Sequence, residues 1–198
     1  MTASPDATSR RSAAGPVTLP ESAAPDSAPS TDGRRVLVAV VTGEAGARIQ
    51  AWRERHDPEQ ARRLPPHATL CYWPPVVEPA VLEPQVRHAF DRPICVRLGA
   101  VHEFDNPDRT FYVEVQETAG LDAARARLYD GTHLQLPGRA DWSWHVTCVR
   151  YGRMCDLDRL RRAAAELTLG IAWDIDTVAY LELRGGVYRP LATWRVGG

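Results

Sequence analysis

The stretch PPHATLCYWP, residues 65–74, decides how the rest of the chain is read. Two prolines interrupt the preceding pattern, and HATLCYW follows as an apolar run of strand length. On a strand, residues i and i+2 share a face, so His67 and Thr69 project together. A histidine opening an apolar strand is, taken alone, most often a packed core residue. This one has an echo. In WSWHVTCVRY, residues 142–151, His145 and Thr147 repeat the His-x-Thr spacing inside a second strand-like run.

Outward from the two motifs, the pattern alternates between strand and helix. Residues Arg35 to Val41 read as a first strand. Ala45, Ile49 and Trp52 recur at helical spacing and predict a helix over Glu44–Arg55. Glu83 is expected to cap a short helix with Pro84 at its first position. PICVRLGAV, with Ile94, Val96 and Leu98 on one face, and TFYVEVQ read as strands joined by the turn signal NPD. The order then repeats. Leu121, Ala124 and Leu128 make a helical stripe, and residues 131–142 a polar loop. The second motif strand is followed by a helix capped by Asp156 and lined by Leu157, Leu160, Ala164 and Leu167. Two long β runs, Ile171–Leu183 and Val187–Val196, flank Gly185-Gly186 as a hairpin. The expected class is α+β (mixed α/β): two similar lobes, each an antiparallel sheet facing a central cleft, with helices outside. Residues 1–33, rich in Ala, Ser and Pro, read as a disordered tail, and 34–198 as the folded unit.

Composition narrows the chemistry. Of the 198 residues, 44% are apolar and 25% charged, and the formal net charge is −1. No broad basic footprint for long nucleic acid is present. All 24 basic residues are arginine, which excludes Schiff-base, P-loop-lysine and lysyl-nucleotide chemistry. TGEAGA lacks the GxGxxG spacing of a dinucleotide site. Cys71, Cys95, Cys148 and Cys155 form no CxxC pair, and Cys71 and Cys148 read as small buried hydrophobes. A cytoplasmic compartment and a monomer are expected. No apolar run approaches the ~18 residues of a membrane span.

Two histidines and two threonines converging on one cleft suit phosphate-ester chemistry. One neutral imidazole takes a proton from water or a hydroxyl, and the other, protonated, gives one to the leaving oxygen. The hydroxyls hydrogen-bond non-bridging phosphate oxygens as charge develops. No carboxylate or cysteine completes a metal set around His-x-Thr, so no metal and no cofactor is expected.

On these paired motifs the chain resembles the 2H phosphoesterase superfamily, specifically its 2′,5′ RNA ligase and cyclic phosphodiesterase group, over about residues 35–197. Tyr72 stands where that family usually has an aromatic. Arg150, five residues after His145, stands where it often has a phosphate-holding arginine. The family typically has a proline before the second histidine, where this chain has Trp144. The resemblance implies a two-lobed fold and hydrolysis of a 2′,3′-cyclic phosphate or related cyclic nucleotide. His67 and His145 are then catalytic, and Thr69, Thr147 and Arg150 phosphate-binding. The partner is a cyclic nucleotide or an RNA end bearing a cyclic phosphate. Two alternatives stand beside this: 2′-5′ ligation of such ends, and a non-catalytic cyclic-nucleotide-binding module. Trp73 and Tyr151 share strand parity with the motif histidines, and Tyr188 could reach the cleft from the last hairpin; all three are candidates for base stacking. Trp144 has the opposite parity and belongs to the core. His102 and His133, near loops, could line the cleft mouth.

Overall fold

A computed structural model describes residues 32–72, 76–130 and 142–197. The strands are β1 Arg35–Val40, β2 His67–Tyr72, β3 Cys95–Glu103, β4 Phe111–Gln116, β5 His145–Val149, β6 Thr168–Asp174, β7 Thr177–Arg184 and β8 Val187–Arg195. The helices are α1 Gly43–His56, α2 Pro58–Arg63, α3 Pro79–Ala89, α4 Ala119–Tyr129 and α5 Leu157–Glu166. None of the described helices is long and apolar enough to cross a membrane. The reading of 1–33 as a tail falls almost wholly outside the described residues, as does the predicted loop at 131–142, of which only residue 142 is described.

The strands form one antiparallel sheet in the order β6-β3-β4-β5-β2-β1-β7-β8. The fold class is therefore α+β, but the two separate sheets expected from the sequence are a single sheet here. The reason is local. The two motif strands pair with each other, at Ala68↔Val146, and so join four strands on one side to four on the other. Strand alternation then does the sorting. Ala68, Leu70, Val146 and Cys148 enter the main core with Leu37, Ala39 and Val113. Ile49 and Trp52 of α1, Leu82 and Val86 of α3, Leu121 and Leu128 of α4, and Leu160 of α5 cover that face. Each fully buried Val or Leu there stabilises by roughly 1.5–3 kcal/mol. Cys71 and Val149, at the far ends of the two strands, also join this core, while His67, Thr69, His145 and Thr147, which alternate with Ala68 and Val146, are left for the opposite face.

Two other boundaries differ from expectation. Helix α3 begins at Pro79, with Glu78 before it, rather than at Pro84. Pro79 fills the first helical position, and Leu82, Val86 and Ala89 form the buried stripe. Pro84 is tolerated inside because it lies on the exposed side. The run 171–183 is split at Ile175-Asp176 because its halves serve different partners: β6 pairs with β3 and β7 with β1. Asp176 holds the crossing by accepting from Thr42 Oγ1 (3.1 Å) and Thr177 Oγ1 (2.8 Å). The Gly185-Gly186 hairpin is as expected. Both glycines take positive φ (56° and 78°), which a two-residue turn of this kind requires. Asp156 caps α5 by accepting from Arg159 N (3.0 Å). Cys71 and Cys148 are buried and all four cysteines are free thiols.

Candidate active site

The pairing that joins the sheet also assembles the two motifs. Continuing the Ala68↔Val146 register by one residue each way sets His67 across from Thr147 and Thr69 across from His145. Cross-strand partners share a face. The neighbouring strands extend these into two rows. Val40 lies across from His67 and Val38 across from Thr69. Tyr112 lies across from Thr147 and Glu114 across from His145. Histidines and threonines thus alternate in a checkerboard at the centre of the sheet.

Both histidines are held the same way. His67 Nδ1 lies 2.7 Å from Pro65 O, and His145 Nδ1 lies 2.9 Å from Ser143 O. A carbonyl oxygen only accepts, so each Nδ1 carries the proton and each Nε2 is left for exchange. In both motifs the carbonyl sits two residues upstream, where the chain enters the strand. Burial lowers the pKa of both imidazoles, against the raising effect of these carbonyl bonds. His67 falls to about 4, since the charges of Arg53, His145 and Arg150 add to burial. Burial is the only lowering influence on His145. The two environments are therefore unequal, which separates a base from an acid.

Arg53 gave no signal in the sequence. It is 3% exposed on α1, and its guanidinium donates to Gln60 O (2.8 Å), while its Nε is buried without a partner among the described residues. Arg150 is exposed just beyond β5. Its backbone N donates to Asp57 Oδ2 (3.0 Å), and its guanidinium stands 5.7 Å from the Tyr151 ring centroid. Tyr151 helps line a hollow of about 400 Å³ with His56, Asp57, Met154 and Cys155. That hollow adjoins Arg150 and is not lined by either motif histidine.

Tyr188 is half-buried against Val36, Val38, Ala179 and Leu181 on the flank beyond β1. Trp73 and His133 lie outside the described residues. Trp144 is buried, as its parity predicts, and donates to Asp122 Oδ1 (2.6 Å). The flank beyond β5 holds Phe104, Tyr112 and Glu114, to which the sequence reading gave no role in the site, beside His102, which it placed near the cleft mouth. Phe104 and Tyr112 stack with centroids 3.9 Å apart, and their rings meet His145 edge-on at 5.1 and 5.6 Å. His102 is 5.9 Å from Tyr112 and 3.6 Å from Glu114. Alternation in TFYVEVQ separates Tyr112 and Glu114 from the core-facing Phe111, Val113 and Val115. Only the pairing of β4 with β5 makes that the motif face. Among the described residues, no group of three or more His, Cys, Asp or Glu side chains is arranged to hold a metal.

Comparisons with known proteins bear on the family and the fold. The family model of the 2′-5′ RNA ligase superfamily matches residues 42–187. A solved phosphoesterase is similar at 17% identity and a TM-score of 0.56, covering 84% of this chain and 99% of its own. LigT from E. coli is similar at 16% identity and a TM-score of 0.53 in its apo form, with the same coverage. LigT has also been solved with 3′-AMP and with ATP. At these identities the solved structures show a shared fold. No curated protein sequence gives a significant match.

Proposed function

Since the chain belongs to the 2′-5′ RNA ligase superfamily, we propose that it is a metal-independent phosphoesterase that opens a 2′,3′-cyclic phosphate or related cyclic nucleotide to a phosphomonoester. The observation that carries this reading is the matched tethering of His67 and His145 through Nδ1, with both Nε2 atoms left for proton exchange. His67, with the lower pKa, is the base. Its Nε2 takes a proton from water as the water oxygen forms a bond to phosphorus. His145 is the acid. Its Nε2 gives a proton to the ribose oxygen as that P–O bond breaks, and its Nδ1–H bond to Ser143 O favours the charged ring beforehand. Thr69 and Thr147 hold the non-bridging oxygens, and Arg150 offsets their charge. The four strands on each side of the β2–β5 seam act as two lobes around one cleft, within a working unit of residues 34–198. Nucleotide complexes of LigT support a nucleotide-sized ligand.

The same path run backwards joins a cyclic phosphate to a 5′-hydroxyl, so the test must see both directions. Purified protein, treated with chelator, is offered 2′,3′-cyclic nucleotides and cyclic-phosphate-ended oligonucleotides with and without a 5′-hydroxyl acceptor. Products are identified by mass and retention. The expected result is a phosphomonoester of one regiochemistry without joined product. Predominant joining would replace hydrolysis by ligation. Binding without turnover would reduce the protein to a binding module.

A further inference from the structure

We propose that the β3–β4 flank of the cleft is a nucleobase subsite, with Phe104 and Tyr112 as its stacking surface and the Glu114 carboxylate selecting guanine. The proposal rests on the reading of the cleft as a nucleotide phosphate site and names its base preference.

Three observations carry it. First, Phe104 and Tyr112 are already stacked, 3.9 Å apart and 22° from parallel, and both touch the ring of His145. Both are half-buried, so part of the pair still faces outward. Aromatic faces bind any base. Second, Glu114 lies across from His145 in register, yet its carboxylate leans over β3. Gly99 makes room for it: a Cβ there would stand 3.0 Å from Glu114 Oε2 and from Gln116 Nε2. Strands are about 4.8 Å apart, so the carboxylate sits roughly two strand spacings from β5, the reach of a ribose with its base. Third, the carboxylate is held but not used up. Gln116 Nε2 donates to Oε2 at 2.7 Å, and His102 Nε2 stands 3.6 Å from the same oxygen. Oε1 has no partner among the described residues, and each oxygen accepts twice.

An ionised carboxylate only accepts, and two parallel N–H donors suit it best. Guanine presents N1–H and N2–H side by side. Adenine and cytosine present one amino group beside a ring nitrogen that repels the carboxylate. Uracil presents one N–H between two carbonyls. The opposite flank, built of Val36, Val38, Leu181 and Tyr188, is mainly aliphatic.

The test uses product-type ligands, so it does not depend on turnover. Binding of 3′-GMP, 3′-AMP, 3′-CMP, 3′-UMP and inorganic phosphate is measured by titration calorimetry on the parent, Glu114→Gln and Phe104→Leu, with folding checked by circular dichroism. The parent is expected to bind 3′-GMP about tenfold more tightly than 3′-UMP. Glu114→Gln is expected to erase that ratio without changing phosphate affinity. Phe104→Leu is expected to weaken all four nucleotides together. Equal affinities in the parent, or an unchanged ratio in Glu114→Gln, would overturn the subsite. Nucleotides binding no better than phosphate would sink the subsite alone, whereas failure of phosphate itself to bind would sink the phosphoester reading too.

Discussion

At the scale of single residues, the account turns on two imidazoles that look alike in sequence and differ in surroundings. Both begin a His-x-Thr strand and both give Nδ1 to a carbonyl two residues back. His67 also feels Arg53 and Arg150, whose positive charges disfavour its protonation. In the proposed mechanism, protonation of His67 below about 4 would remove the base, and loss of the His145 proton, at a value held below 6.5, would remove the acid. The predicted kcat/KM profile is therefore a bell with its maximum between those values. Rates measured across the acid to neutral range test this, and a rate still climbing above about pH 7 would contradict it. The motif residues were legible because a two-residue period fixes which side chains share a face. Arg53 was not, because one arginine in a helix says nothing about the strand it reaches. Tyr112 and Glu114 were half-legible: the alternation was visible, and the strand beside them was not.

Secondary-structure elements link stability to the site through Asp57. Its Oδ1 accepts from Gln60 N (3.1 Å) and caps α2, while its Oδ2 accepts from Arg150 N (3.0 Å). One carboxylate thus closes a helix end and pins the strand end that carries the phosphate-binding candidate. Asp57→Ala is predicted to lower stability by about 1–2 kcal/mol, and Asp57→Asn to recover most of it, since Asn caps nearly as well. Denaturant unfolding of the three proteins decides this; an Asp57→Ala variant as stable as the parent would refute the linkage. Most elements could be read in the chain because they carry their own period: Ala45, Ile49 and Trp52 for α1, Val96 and Leu98 for β3. The β6–β7 break could not. WDIDT keeps an apolar alternation through the point where the chain changes partner, and only Asp176 and its two threonine donors mark it.

For the molecule as a whole, the central fact is that one sheet carries both motifs on adjacent strands. Expecting two sheets was reasonable from two similar halves, because the order in which distant strands pair leaves no local trace. The main core runs through both sides of the seam, from Leu37 and Tyr180 to Leu98 and Trp173. Unfolding should accordingly be one cooperative transition, with tryptophan fluorescence and far-UV circular dichroism coinciding. Two separated transitions would mean the halves are independent. The shared sheet also means that neither half holds a complete site: each histidine stands across from the other half's threonine. The most direct test of this account is hydrolysis of a 2′,3′-cyclic nucleotide by the parent, His67→Ala and His145→Ala, followed by product identification. The account predicts a phosphomonoester from the parent and a loss of about 10²–10⁴-fold in each folded variant. Near-parental rates in either variant would contradict the two-histidine mechanism.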